Sequence, residues 1–563
     1  MFEYAVWNHC LSTQPGWCAL RLEQLRDTMA RAAMANLPQG LGACAAALGM
    51  AQQKDTRGAQ LIKALCVPRP DGTFLEDGGL LAELVAYCEQ DVRVEAALGE
   101  RLPKLSDYEQ QVWVATQRVN LAGLPVATSE AARIAWVVQS EQGRINNEIK
   151  RLTQYDVVSG TQRDALLRWL RKQGVQAESL TADAVEALVD TLAVGGVARE
   201  VLQLRQRVCQ TSTAKIEKLV DIAQGGRLHN LLVYHGASTG RYASRGGFNA
   251  QNLPRPTIDD IDTAHTVLGT GDHALAYAVL GEQVMDYAVA TVRGLICAPA
   301  GHEFIDADFS SIENRVGVWI AGQQDKVDMF GRGLDEYKVF ASQSLFNVPY
   351  DQVSKHQRQV SKSAVLGCLF GQGAKGLQEY ARVFGVELSI DRSKEIVGLY
   401  RASYARVAQC WADCMTGALE ALRTPNRIIP AGRLAFKYSD EFLRLRLPSG
   451  RVLYWYKPRA AQGKYGGQVV QYDSPEGERT LIGSAIYQNA VQAVARDLLV
   501  NALLNLQQAG YEVVMLIHDE VLAVVPHGGG DEDEFKRLMC QAPAWAEGLP
   551  LSAESWRGRR FRK

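Results

Sequence analysis

Apolar positions recur at spacings of three and four through most of the first 220 residues, then change after about residue 290 to short continuous or alternating runs. Spacings of three and four gather side chains on one helical face, so the first stretch reads as mainly helical. Helices are expected over Leu22 to Leu48, broken at Pro38-Gln-Gly40, over Ala82 to Leu98, and over Asp107 to Leu152 with an interruption at Gly123-Leu-Pro125. Further helices are expected over Gln162 to Leu170 and, as one long element, over Glu200 to Ile222. The later pattern predicts strands at Glu303 to Ala307, Val513 to Ile517 and Val521 to Val525, with a helix over Ser310 to Ala321. His518-Asp-Glu520 between the last two strands reads as a hairpin turn, and Phe442 to Tyr456 around Pro448-Ser-Gly-Arg451 as a second hairpin.

Length changes this picture only by dividing it: 563 residues exceed one core, and about three or four domains are expected. Apolar residues at 47% and charged residues at 22% are ordinary for a globular chain, and no run approaches the roughly 18 apolar residues of a membrane span. The N-terminus lacks the basic and apolar regions of a signal peptide. Eleven cysteines are scattered; Cys410 and Cys414 are the closest pair, and no histidine or second pair completes a zinc spacing, so free thiols in a reducing cytoplasm are expected. The formal charge of −1 excludes a wholly basic chain but not a basic groove. Gln352 to Gly376 carries four Lys/Arg and no acid, and Gly225 to Ile258 carries Arg227, Arg241, Arg245 and Arg255, again with no acid.

The candidate chemistry lies in two acidic motifs, Phe304-Ile-Asp-Ala-Asp308-Phe-Ser-Ser-Ile-Glu313-Asn-Arg315 and Met515-Leu-Ile-His518-Asp519-Glu520-Val-Leu522. Asp308 and Asp519, 211 residues apart, each end a short apolar run that reads as a buried strand. Brought together they offer the hard oxygen ligands that Mg²⁺ takes alongside water and substrate phosphates. A two-metal site of this kind activates an attacking hydroxyl and supports a leaving pyrophosphate. Between the motifs, Arg358, Lys362, Leu366 and Phe370 repeat every four residues on one helical face about 18 Å long. Arg358 and Lys362 suit a triphosphate, Leu366 and Phe370 its base and sugar, and Gly367 and Gly371 the close approach of a base pair. Tyr234-His-Gly-Ala-Ser-Thr-Gly-Arg241-Tyr-Ala-Ser-Arg245 and Asn249-Ala-Gln251-Asn252-Leu-Pro254 combine small residues with donors suited to a sugar-phosphate backbone and minor-groove acceptors. The Glu200 to Ile222 segment, with Arg205, Arg207, Lys215 and Lys218, could lie along the same groove.

On these residues the chain resembles the family A DNA polymerases, most of all the compact forms of bacteriophages and prophages. Asp308 to Arg315 resembles the first palm motif and His518-Asp519-Glu520 the last. Arg358 to Gly371 resembles the fingers helix; Thr239-Gly-Arg241 with Gln251-Asn252-Leu-Pro254 resembles the thumb-to-palm signature; Gln488 to Asp497 resembles the palm helix along the primer-template minor groove. The resemblance covers about 110 to 563 and implies a right-hand α/β fold, with an antiparallel palm sheet and helical fingers and thumb. It implies two Mg²⁺ ions, with Mn²⁺ as a substitute, on Asp308, Asp519 and the Phe309 carbonyl, and Glu520 in the same catalytic set. It implies triphosphate contacts from Arg358 and Lys362, with Lys362 protonating pyrophosphate, nucleotide contacts from Leu366 and Phe370, and Glu313 as a steric gate against the ribose 2'-hydroxyl. It implies DNA contacts from Arg241, Gln251, Asn252, Gln492, Arg496 and His518, joined by Arg205 and Lys215, and a structural role for Asp335. Leu366 stands where the family usually has an aromatic, and Phe370 where it has tyrosine, so sugar discrimination is expected to differ.

The implied domains are a partial 3'-5' exonuclease-like, ribonuclease H-like region (1–105), palm lead-in helices (106–150), thumb (151–225), palm (226–325), fingers (326–440) and palm again (441–563). Tyr87-Cys-Glu-Gln-Asp91 resembles the last proofreading motif and Glu3 the acid of the middle one. The first motif has no room ahead of residue 1, so weak or absent proofreading is expected. The expected activity is template-directed DNA synthesis from deoxynucleoside triphosphates on a primer-template, by a monomer in the bacterial cytoplasm, phage- or prophage-encoded, without a membrane partner. An inactive DNA-binding relic is the alternative, and it would need neither a metal pair nor a triphosphate clamp.

Overall fold

Short helices capped by local side chains open the chain. The computed structural model describes residues 2–51, 57–244, 246–256, 258–464 and 466–562, so Met1 and Arg245 lie outside the described residues. The expected break at Pro38-Gln-Gly40 separates helices Thr28–Met34 and Leu41–Ala47, the first capped by the Asp27 carboxylate, which accepts from the Ala30 N–H. Gly78–Arg101 is one helix that contains Tyr87 and Asp91. All regular structure described before Leu124 is helical, so no exonuclease sheet is present among these residues. These helices bury Ala35, Leu37, Leu48, Val94 and Leu98 against Phe442 and Tyr456 of a distant sheet.

Ser106 caps α1 (Asp107–Ala122), and Thr128–Leu152 follows after the interruption at Gly123 to Pro125. The single helix expected over Glu200 to Ile222 is two, Val197–Val208 and Ala214–Ile222, with a turn at Thr211–Thr213 between them. The run Cys209-Gln-Thr-Ser-Thr213 explains the break, because its short polar side chains compete with the helix for backbone hydrogen bonds. Helices at Ala182–Thr191, Ile261–Leu268, His273–Leu280 and Val284–Gly294 were not anticipated.

Two antiparallel sheets organise the rest. In the smaller, β1 (His302–Phe309) is followed by α2 (Ile312–Ala321), and later by α3 (Lys355–Cys368) and α4 (Ala374–Val383). The larger is a six-stranded meander between Ile429 and Leu481, in which each strand pairs with its sequence neighbour and β2 (Val452–Gln462) is central. The boundary expected at 440/441 falls within this sheet. Asp440 and Glu441 form a two-residue hairpin turn, both at positive φ (53° and 64°), with Ser439 opposite Phe442. Residues 429–481 therefore form one unit, separate from the smaller sheet. The chain then runs through α5 (Gly483–Gln508), β3 (Glu512–Ile517), β4 (Glu520–Pro526) and β5 (Ala553–Gly558), giving a smaller sheet of order β3-β4-β1-β5. Strand β5 was also not anticipated.

Glu336 joins the smaller sheet's first helix to the helices beyond it. Its buried carboxyl accepts from the Asn314 amide on α2 and from the Tyr404 hydroxyl. Burial pushes this carboxyl up to about 7, against the lowering effect of those two hydrogen bonds. The folded chain keeps the proton up to about pH 7, whereas the unfolded chain releases it near an ordinary 4.5. Stability should therefore fall by about 3 kcal/mol as pH rises through that window. Glu336→Gln should remove this part of the fall and leave that of Asp519, whose carboxyl is also pushed up to about 7; Asn314 can turn its amide so that Oδ1 accepts from the new side chain. Denaturation midpoints of both proteins at pH 5 and pH 8 test this; parallel losses would refute it.

Candidate active site

Strand β1 runs through the middle of the smaller sheet because Phe304, Ile305 and Ala307 are fully buried there. Its end places Asp308 opposite Glu520 on β4 and opposite Glu554 on β5. Directly opposed residues of antiparallel strands share a face, so this edge gathers acidic positions from three strands. Glu554 was missed by the sequence reading, since Ala553-Glu-Ser-Trp-Arg-Gly558 carries little strand signal. Asp519 sits with His518 in a two-residue turn whose flanking residues, Ile517 and Glu520, pair. His518 adopts a left-handed φ of 55°, uncommon for a residue other than glycine and a mark of a constrained turn. The Phe309 N–H donates to the Asp519 carbonyl at 3.2 Å, locking the turn against the end of β1.

Burial, and next the charge of Asp308, push the Asp519 carboxyl up to about 7. Two carboxylates set to repel each other in a partly closed site are a donor set that a divalent cation suits, because the cation's charge reverses the sign of that interaction. The residues present thus fit the metal pair expected from the sequence.

Helix α3 is started by a reciprocal cap in which Ser354 Oγ accepts from the Gln357 N–H and Gln357 Oε1 from the Ser354 N–H. Arg358, Lys362, Leu366 and Phe370 remain partly exposed while Ser361, Ser363, Ala364 and Val365 are buried, so the expected face is the open one. Arg358 Nε donates to Asp335 at 2.7 Å, and Asp335 also caps the next short helix, which accords with its expected structural role. The Lys362 ammonium lies 5.6 Å from the Phe384 ring centre. The helix ends at Cys368, so Phe370 lies in the turn beyond it, packed 6.3 Å centre to centre from Tyr487.

The expected role of the two glycines needs correcting. A Cβ on Gly367 would meet Gln372, Leu377 and Tyr380, the last two on α4, and a Cβ on Gly371 would meet Ser484 of α5 at 2.8 Å. They are small so that protein can pack there, not to admit a base pair. Glu313, in the first turn of α2, is paired with Arg241 from the Thr239-Gly-Arg241 loop. His518 Nε2 lies 3.1 Å from the Gln251 carbonyl oxygen, which holds the Gln251-Asn252 segment beside the His518-Asp519 turn, and Lys215 Nζ donates to the Asn252 carbonyl. Gln492 is partly exposed on α5.

Two expected DNA contacts are corrected. Arg496 is buried to 2% exposure and forms a two-pronged pair with Glu109 on α1, at 2.6 and 3.0 Å, so it cannot reach DNA. Arg205 spends its guanidinium on the Gly160 and Leu180 carbonyls and holds loops together. At the N-terminal end, Tyr87 is buried against Gly58, Glu3 is exposed and Asp91 half-buried. Among the described residues no three His, Cys, Asp or Glu side chains gather into a metal-binding group, at this end or at the Asp308–Asp519 edge, where the expected side-chain ligands are two.

A profile described as DNA polymerase family A matches residues 129–426. The chain is 32% identical over 556 residues to a DNA polymerase of Bacillus phage SP02, covering 95% of this chain and 84% of that one. It is 26% identical over 368 residues to DNA polymerase I of Chloroflexus aurantiacus, covering 64% of this chain and 30% of that one. The fold is similar to that of the POL domain of Pol1 from M. smegmatis in complex with DNA primer-template and dNTP, with a TM-score of 0.58, 16% identity, and coverage of 95% of this chain and 82% of that one. With a matching profile over more than half its length and a phage relative aligned almost end to end, the chain belongs to the family A DNA polymerases.

Proposed function

We propose the following division of labour in this template-directed DNA polymerase. Asp308 and Asp519, with the Phe309 carbonyl, hold two Mg²⁺ ions, and Glu520 completes the acidic edge. When bound, the ions supply Lewis-acid stabilisation of the charge at the reacting phosphorus. Arg358 and Lys362 bind the triphosphate, and Lys362 Nζ passes a proton to the departing pyrophosphate. Leu366 and Phe370 pack on the incoming base and sugar, and Glu313 excludes the 2'-hydroxyl. Arg241, Lys215, Gln251, Asn252, Gln492 and His518 contact the primer-template, Lys215 also donating to the Asn252 carbonyl. The Pol1 complex with primer-template and dNTP supports the choice of partners.

The observation that carries this reading is the meeting of residues 211 apart at one sheet edge, with Asp308 opposite Glu520 and Asp519 in the adjoining turn. Residues 151–225 act as thumb, 226–325 and 482–563 as palm, 326–428 as fingers, and 1–105 as an exonuclease-like region with little proofreading from Glu3, Tyr87 and Asp91. The protein works as a monomer in the bacterial cytoplasm.

Primer extension on a 5'-labelled duplex with Mg²⁺ tests the whole. Products longer than the primer are expected with dNTPs, and little shortening without them. Absence of extension with either Mg²⁺ or Mn²⁺ would refute the assignment, and strong shortening would refute the weak proofreading. Glu313→Ala should raise ribonucleotide incorporation relative to deoxynucleotide by on the order of tenfold to a hundredfold, because the site loses bulk where the 2'-hydroxyl would sit. An unchanged preference in competition assays would sink the gate.

A further inference from the structure

Arg451 begins β2's approach from the Pro448-Ser-Gly-Arg451 turn, and its side chain is 4% exposed. Its Nε donates to Asp497 at 2.6 Å. Its Nη2 donates both to the Thr239 carbonyl at 3.0 Å and to the Ala493 carbonyl at 2.8 Å. Thr239 lies two residues before Arg241, and Ala493 directly follows Gln492. One guanidinium therefore ties the loop that carries one expected primer contact to the helix that carries the other. Ser449 Oγ donates to the second Asp497 oxygen, so the carboxylate that aims Arg451 is itself held.

The loop is shaped around this guanidinium. Gly240 adopts φ +88°, and a Cβ there would meet Arg451 Nη1 at 2.6 Å and His235 Cε1 at 3.0 Å. Only glycine fits between Thr239 and Arg241 while Arg451 occupies its place. The planar fork of arginine suits the task, since several fixed N–H groups can serve a carboxylate and carbonyls together, which a lysine ammonium on a flexible stem does less specifically.

We propose that Arg451 is a positioning residue that sets Arg241 and Gln492 in register, so that both reach minor-groove acceptors of the terminal primer pair at once. The inference rests on the primer-contact reading of those two residues. Arg451 touches no substrate and acts through the two carbonyls.

The test compares extension from primers ending in guanine or in 3-deazaguanine, which lacks the minor-groove N3 acceptor. Wild type should extend the deaza primer about tenfold or more slowly, the scale of one good base-edge contact. Arg451→Lys keeps the charge facing Asp497 but not the fork. It should stay folded at the assay temperature, extend the guanine primer more slowly, and show a guanine-to-deaza ratio within about threefold of unity. A role confined to stability would leave that ratio at the wild-type value, and such a result overturns the inference. If Arg451→Lys does not fold, Arg451→Gln with Asp497→Asn replaces the ion pair by a neutral amide pair and is read in the same way. Arg241→Ala is the control. A wild type insensitive to the deaza base overturns the primer-contact reading and this inference with it, whereas sensitivity in wild type and Arg451→Lys, lost in Arg241→Ala, overturns this inference alone.

Discussion

Asp519→Asn should lower nucleotide incorporation by about a thousandfold or more, while primer-template affinity stays within a few-fold of wild type. The variant keeps the shape of the side chain but halves the pair of carboxylates that faces the reacting phosphate. If a metal-held charge supplies about 4 kcal/mol or more of transition-state stabilisation, its loss gives that factor. The fold should survive, because the turn is held by the Asp519 backbone carbonyl, which accepts from Phe309, and not by the carboxylate. Replacing a buried charge beside Asp308 with a neutral amide also removes a repulsion. Single-turnover incorporation and a gel-shift titration on the same duplex give the two readouts. Incorporation within tenfold of wild type would remove Asp519 from the metal site.

Arg496→Met should destabilise the protein by about 3–5 kcal/mol, the usual loss when one partner of a buried ion pair is removed. Arg496 is fully buried, and its guanidinium faces Glu109 with two hydrogen bonds and Asp497 with a third at 3.3 Å. Burial alone would raise the Glu109 carboxyl, yet the Arg496 charge holds it well below the usual carboxylate range. Without Arg496 that carboxylate is left buried, with the Tyr234 hydroxyl donating to it and His235 Nε2 at 3.9 Å. Arg496→Met with Glu109→Gln should recover much of the loss, since the amide oxygen still accepts from Tyr234 and no isolated charge remains. A DNA-contact role predicts the reverse pattern: normal stability, weaker binding and a shallower salt dependence. Thermal melting and salt-titrated binding of the single and double variants separate the two.

Much of the acidic sheet edge was legible in the sequence because its signals are local. An apolar run ending in aspartate is a strand end wherever it folds, and β1, β3 and β4 lie within a residue or two of the expected ranges. The four-residue spacing of Arg358, Lys362, Leu366 and Phe370 likewise survives as an open face, although the helix stops before Phe370. What was not legible depends on partners remote in sequence. Gly367 and Gly371 look like room left for a ligand until α4 and Ser484 are found filling it. Ala553–Gly558 becomes a strand because β1 has a free edge to pair, not because its own residues prefer to be one.

The arginines show the division most sharply. Sequence alone determined that this chain carries two aspartates that end apolar strands, a helix face with a basic or apolar residue every four positions, and the order in which they occur, since each is a matter of residue type at short spacing. Tertiary structure alone decided which arginines meet solvent. Arg241 stays in the cleft paired with Glu313, Arg205 binds loop carbonyls, and Arg496 and Arg451 are enclosed in a charge network with Glu109 and Asp497. A guanidinium is the same group in all four positions. Whether it serves DNA or the fold depends on which carboxylates and carbonyls the packing brings to it, residues that for Arg496 and Glu109 lie 387 positions away along the chain.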